Sequence, residues 1–320
     1  MNDLIQQIES ANSIGISGHI RPDGDCVGSC LGLYNYVKEN YSEKRIAIYL
    51  DSFSESFSFL SYACEIKKAE KSESSYDLFI SLDCGSLDRL GDAQPLFLNA
   101  HKNIVIDHHI SNTAFGMKNI VKAEKSSTCE VVYGLLDKNK ISKNTAEALY
   151  MGIVHDTGGF KHSNTSKETM EIAGNLMEKG IPFSKIIDET FFQKTYLQNQ
   201  ILGRCLLESF FLLNGKVIAS CVEERILKFY GAEPKDLDGV IDQLRITKGV
   251  EVAVLAYEIN PGEFKISLRS NGKVDVNRIA VYFGGGGHIK AAGCSLKGSY
   301  RDAITNITGH IESQLKTLEL

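Results

Sequence analysis

Short apolar runs recur along the first half of the chain, each closing on a polar residue or a carboxylate. "SIGISGHI" (13–20), "KRIAIYLD" (44–51), "DLFISLDCG" (77–85) and "KNIVIDHHI" (102–110) have strand length and strand composition. Between and after them lie helical patterns: "VGSCLGLYNYVKEN", "CEVVYGLLDKN" and "KNTAEALYMGIVHD", the last with Ser142 placed as N-cap. This alternation predicts a mostly parallel sheet flanked by helices, an α/β domain over residues 1–194. "TMEIAGNLMEKG" and "SKIIDETFFQKTYLQNQILGRCLLESF" continue in helical texture, and residues 195–212 are expected to form a connecting helix. Beyond it the pattern changes. Asn214-Gly215 and Pro261-Gly262, each between apolar runs, are hairpin signals. They predict a smaller α+β domain over 213–320.

Composition narrows the class without naming a function. At 320 residues the chain exceeds one compact core and suits two domains. Its apolar runs fall short of a bilayer span, and "MNDLIQQIES" lacks the basic start and apolar middle of a signal peptide. A cytoplasmic protein without membrane partners is therefore expected. Eight scattered cysteines show no framework spacing and are expected to be reduced and mostly buried; Cys26 and Cys30, four apart on a predicted helix, do not form a zinc-knuckle pattern. The net charge of −5 and the lack of a dense Lys/Arg block argue against a grip on long nucleic acid. An anionic substrate would be small, or held by a few placed cations.

The candidate chemistry sits at element ends. In "SGHIRPDGDCVGS", His19 follows a predicted strand and a Pro-Asp-Gly-Asp turn can fold Asp23 and Asp25 back toward it. Asp83 ends the next pertinent run, Asp107, His108 and His109 end another, and Asp156 ends a predicted helix before two glycines. In parallel sheets, ligands lie beyond the carboxyl ends of the strands. Hard carboxylate donors mixed with imidazole suit Mn²⁺, with Mg²⁺ and Fe²⁺ less apt, and His19, Asp23, Asp25, Asp83, His108 and Asp156 are too many for one ion. Two ions with one bridging carboxylate suit hydrolysis at phosphorus. One imidazole of the adjacent pair can then ligate a metal while its neighbour faces the phosphoryl group. Near the other end, "YFGGGGHIKAAGCSL" offers a glycine loop with free backbone N–H groups, and Arg269 a bidentate phosphate contact. His155 is expected to be structural or to support the ligands, because helix neighbours point apart.

"HIRPDGD", "SLDCG", "DHH" and "GIVHDTGGF", in that order, resemble the motifs of the DHH phosphoesterase superfamily, and "SLRSNGKVDVNRIAVYFGGGGHIKAAGC" looks like the DHH-associated C-terminal domain. The resemblance spans nearly the whole chain. It implies that His19 and Asp23 bind one metal, that Asp25, His108 and Asp156 bind the other, and that Asp83 bridges them. It further implies that His109 faces the scissile phosphate with Asp107 behind it. Arg269 and the segment Gly284, Gly285, Gly286, Gly287 and His288 would hold the substrate's nucleotide or phosphate end, across a cleft between the domains. Length and layout are most similar to the bacterial nanoRNase type, which hydrolyses short oligoribonucleotides and dephosphorylates 3′-phosphoadenosine 5′-phosphate (pAp). Short RNA or nucleoside bisphosphates are the expected partners, and a homodimer is expected by analogy. The alternative is a phosphodiesterase of cyclic or linear dinucleotides. A non-catalytic nucleotide sensor on the same fold is disfavoured, because every expected ligand is present.

Overall fold

The computed structural model describes residues 3–70 and 75–318. The chain divides into two compact units at Gln193/Lys194. In the first, five strands run parallel: β1 (Ser13–Ser17), β2 (Arg45–Tyr49), β3 (Leu78–Leu82), β4 (Lys102–Asp107) and β5 (Lys118–Val121), in spatial order β2-β1-β3-β4-β5. Both faces of this sheet are covered, so its central strands read as unbroken apolar runs. Ile80, Leu82, Ile104 and Ile106 enter the core beneath helices Gly24–Asn40 and Lys143–Asp156. Phe79 and Val105 point the other way, into a second cluster with Tyr49, Tyr76 and Phe97. The two helices meet closely because residue 28 is glycine: a Cβ there would stand 2.6 Å from the Ala148 carbonyl oxygen.

Four predicted strands and the cap at Ser142, whose side chain accepts from Thr145 N–H, are present as expected. β5 was not anticipated; "KNIV" is short and only half-buried. The long helical stretch after residue 184 is broken. Helix Phe183–Ile187 passes into a π-helical turn (Asp188–Phe192), and a new helix begins at Tyr196. The break follows from a capping box, with Thr195 and Gln198 satisfying each other's backbone N–H groups.

The second unit is built on a six-stranded mixed sheet: β6 (Phe210–Leu212), β7 (Val217–Val222), β8 (Val252–Asn260), β9 (Glu263–Ser270), β10 (Gly286–His288) and β11 (Ala291–Lys297). The order is β10-β11-β9-β8-β7-β6, antiparallel except for β7 with β8. Residues 210–212 thus form an edge strand, and the preceding helix Tyr196–Leu207 lies wholly within this unit. Both hairpins turn where Asn214-Gly215 and Pro261-Gly262 predict. Among the described residues, no helix is long and apolar enough to cross a membrane.

Candidate active site

Strand order in the first unit reverses between β1 and β3, and at such a switch point the loops leave a crevice beyond the strand ends. The loop after β1 carries His19, and the residue after β3 is Asp83. Asp107 ends the neighbouring β4, followed at once by His108 and His109. Asp83 has a left-handed backbone (φ 54°), a conformation that Asp tolerates better than most residues, and its N–H donates to the Ile106 carbonyl at 3.0 Å. β1 ends at Ser17, short of the predicted run 13–20, and Asp23 becomes the N-cap of helix Gly24–Asn40 by accepting from the N–H groups of Asp25 and Cys26. Asp25 is then the second residue of that helix and points inward.

These residues converge. His19 Nε2 lies 3.7 Å from Asp23 Oδ2 and 3.5 Å from Asp83 Oδ2. His108 Nε2 lies 3.8 Å from Asp25 Oδ2, 3.7 Å from Asp83 Oδ1 and 3.0 Å from Asp156 Oδ2. Asp83 therefore turns one oxygen toward each imidazole. Both rings are oriented from behind: His19 Nδ1–H donates to the Ile20 carbonyl at 2.8 Å, and His108 Nδ1–H to that of Lys125 at 3.3 Å. This reserves Nε2 of each ring for the site: protonated, it donates toward the carboxylates, and deprotonated, its lone pair is free for a cation, as a ligating histidine needs. Four of the five imidazole–carboxylate distances exceed hydrogen-bond length. They resemble the roughly 3–3.5 Å separation of donors that surround one ion at about 2.1 Å. The donors fit divalent cations.

His109 adjoins the donors, its Nδ1 3.7 Å from Asp83 Oδ1, but its hydrogen bond runs elsewhere. Its Nδ1–H donates to Asp107 Oδ1 at 2.7 Å. Asp107 is fully buried and also accepts from the His108 N–H at 2.8 Å and from Asn112 Nδ2–H at 2.6 Å. Burial opposes its ionisation, yet the hydrogen bonds from His109 and Asn112 outweigh that and lower its pKa. The same hydrogen bond to Asp107 raises the pKa of His109. Burial alone would lower His108, but its bond to Asp156 and the charges of Asp25, Asp156 and Asp83 carry it up to about 10. Asp25, wholly buried, is raised by burial first and then by the nearby Asp83 and Asp156 carboxylates. Burial and mutual repulsion thus oppose the charged form of Asp25.

Two contributors were not singled out in the sequence. Thr128 Oγ1–H donates to Asp83 Oδ1 at 2.9 Å, and its backbone N–H donates to Asp25 Oδ2 at 2.6 Å. Cys129 N–H adds a 2.9 Å bond to Asp25 Oδ1, so the helix Thr128–Leu135 rests its N-terminal donors on that carboxylate. The capping signal "SSTCE" announces the helix start, with Ser127 accepting from Glu130 N–H, but not its target. His155 is structural in contact: its Nε2–H donates to Thr190 Oγ1 at 3.0 Å and its ring packs edge-on against Phe57. Burial pulls its pKa down to about 4.

In the second unit, the glycine segment differs from the expected open loop. Residues 286–288 form an edge strand against Ala291–Gly293. Gly287 is required by that pairing, since its φ is 150° and a Cβ would stand 2.4 Å from the Ala291 carbonyl oxygen. The pairing has a further result. Arg269 on β9 pairs with Ala291, and Ala291 pairs with His288. Directly paired residues share a sheet face, so Arg269 and His288 stand in one row, about 9.5 Å apart at Cα, with only a methyl between them. Arg269 is half-buried, and its Nε is 3.7 Å from Asp242 Oδ1.

A parallel sheet that gathers imidazoles and carboxylates at its switch point, with helix N–H groups behind them, suits metal-dependent hydrolysis, and its relatives make it a hydrolase of phosphoester bonds. The model of the DHH family N-terminal domain matches residues 13–153, and that of the DHHA1 domain matches 214–317. The bifunctional oligoribonuclease and PAP phosphatase NrnA of Thermus thermophilus is 30% identical over 289 residues, 89% of this chain and 84% of that protein. Its Bacillus subtilis namesake is 28% identical, covering 92% of each chain. The crystal structure of an exopolyphosphatase-related protein from Bacteroides fragilis superposes with a TM-score of 0.89 at 26% identity, over 99% of this chain and 96% of that one. The chain belongs to the DHH family, whose phosphoesterases use divalent metals.

Proposed function

We propose that this protein hydrolyses short oligoribonucleotides, of about two to five nucleotides, to mononucleotides and removes the 3′-phosphate of pAp to give AMP, using two divalent cations, most aptly Mn²⁺. The observation that carries the metal chemistry is the pair of imidazoles, each braced through Nδ1–H on a carbonyl, facing four carboxylates at 3.0–3.8 Å. The substrate class rests on the NrnA relatives, matched over about nine-tenths of this chain.

In this reading His19 and Asp23 hold one ion, Asp25, His108 and Asp156 hold the other, and Asp83 serves both. When bound, the ions supply Lewis acidity toward the phosphoryl oxygens and the attacking water. The chain's own groups do the rest. His109, whose protonated form is favoured by its bond to Asp107, donates from its other nitrogen to a phosphoryl oxygen as charge builds there. Asp107 holds that ring in place. Thr128 and the helix it starts hold Asp83 and Asp25 against their mutual repulsion. Arg269 and the segment Gly284–His288 take the distal phosphate or nucleoside of a short substrate. A homodimer in the cytoplasm completes the proposal.

The experiment is a hydrolysis panel with purified protein and Mn²⁺. It compares a 5′-phosphorylated RNA dinucleotide, a longer RNA, single-stranded DNA, pAp, cyclic di-AMP and pyrophosphate. Preference for the dinucleotide together with pAp turnover is expected. Strong cleavage of cyclic di-AMP or long DNA, with pAp untouched, would move the substrate class elsewhere and leave the metal chemistry standing.

A further inference from the structure

One buried donor beside the site has no part in the roles above. Cys26 is the third residue of helix Gly24–Asn40, and its backbone N–H belongs to the cap on Asp23. Its side chain is fully buried. The Cys26 Sγ, a ring nitrogen of His19 and a carboxylate oxygen of Asp83 all lie within 4.8 Å of one another. Both partners are buried as well. The sulfur reaches this place because residue 18 is glycine: a Cβ there would stand 2.2 Å from Sγ. Its hydrogen-bond contact is long, 4.0 Å to the His19 carbonyl oxygen. The second donor group, Asp25 with His108 and Asp156, holds nitrogen and oxygen only.

The geometry points to Cys26 as a thiolate ligand of the ion held by His19 and Asp83, which makes that position a mixed N, O, S site for borderline-soft cations such as Zn²⁺, Fe²⁺ or Co²⁺. This inference rests on the two-cation reading of the preceding section and narrows it: Mn²⁺ stays most apt for the second position alone. A tetrahedral ion with Zn–S near 2.3 Å and Zn–N near 2.1 Å keeps its donors roughly 3.5 Å apart, at most about 1.3 Å closer than these three stand. On coordination the thiol releases its proton to solvent and the ion takes its place. The two positions of the centre then differ in softness: thiolate favours Zn²⁺ and Fe²⁺ at the His19 position, whereas Mg²⁺ and Mn²⁺ are suited to the all-N/O position.

Cobalt loading of the full chain tests this without an activity assay. Co²⁺ at any N/O site gives visible ligand-field bands, and a thiolate ligand adds a near-ultraviolet charge-transfer band. Wild type is expected to show both. Cys26→Ala and Cys26→Ser should lose the charge-transfer band and keep ligand-field absorption from the second position, while Cys129→Ala keeps both. Ligand-field bands alone in wild type, or a charge-transfer band that survives Cys26→Ala, overturn the inference and leave the metal reading intact. Absence of both bands overturns the metal reading, and this inference with it. X-ray absorption of the zinc-loaded wild type needs no variant: a sulfur neighbour at about 2.3 Å is expected, and a shell of nitrogen and oxygen alone overturns the assignment.

Discussion

His109 donates its Nδ1–H to Asp107 Oδ1 at 2.7 Å, two residues back along the same strand end. This bond raises the imidazole pKa, so the protonated ring persists to higher pH than an ordinary histidine. Removing the negative charge lowers that pKa and abolishes the protonated form sooner as pH rises. In Asp107→Asn the basic limb of the kcat/KM profile should therefore move to lower pH, and His109→Ala should lower kcat by about two to four orders of magnitude. A basic limb that stays in place in Asp107→Asn assigns the titration to another group.

Asp83 divides its oxygens between His19 and His108, at 3.5 and 3.7 Å. Asp83→Ala should abolish hydrolysis and weaken binding of both ions while the far-ultraviolet circular dichroism stays native. Activity near wild type would remove Asp83 from the centre.

Thr128→Val keeps the shape of a fully buried side chain and deletes the 2.9 Å bond to Asp83. Metal affinity should drop about ten- to a hundredfold, as for other groups that orient a ligand. The stability cost should be about 1–3 kcal/mol. Calorimetric titration with Mn²⁺ and thermal melts separate the two effects; unchanged affinity would make Thr128 a packing residue.

Metal removal should destabilise the first unit in a pH-dependent way. The His108 pKa rises from 6.5 to about 10 in the cation-free site, so its contribution is fully present below 6.5 and lost as pH rises through about 10. The chelated protein should thus melt at progressively lower temperature over that range. Each cation at a hundred times its Kd adds about 2.7 kcal/mol, or roughly 5–10 °C in Tm, for a unit of this size. The gain should grow with pH, since fewer protons must be displaced. A gain that is flat with pH would exclude His108 as a ligand.

Arg269 and His288 share one row of the second sheet. Loss of one charged contact to substrate in Arg269→Ala should raise KM by about ten- to a hundredfold, with metal loading unchanged. His288→Ala should act in the same direction. Lost metal binding with unchanged KM in either variant would contradict the division of labour proposed for the two units.

The local features of this protein were legible in its sequence because they depend on near neighbours. Apolar runs bounded by turns marked β1 to β4, Ser142 marked a helix start, and Asn214-Gly215 and Pro261-Gly262 marked hairpins. The histidines and aspartates drew attention together, because several in order close strand or helix patterns, whereas each alone could be an ordinary cap or turn residue. The capping box at Thr195 was equally local, and a helical pattern on both sides of it concealed the break. What required tertiary structure were relations between residues far apart in the chain. Thr128 reaches Asp83 and Asp25 only because a helix N-terminus is packed against two strand ends, and no spacing encodes that. The row joining Arg269 to His288 depends on the register of three strands, and the sulfur beside His19 on the absent side chain of Gly18. Periodicity and turn chemistry are written along the chain, whereas donor geometry is set by packing across it.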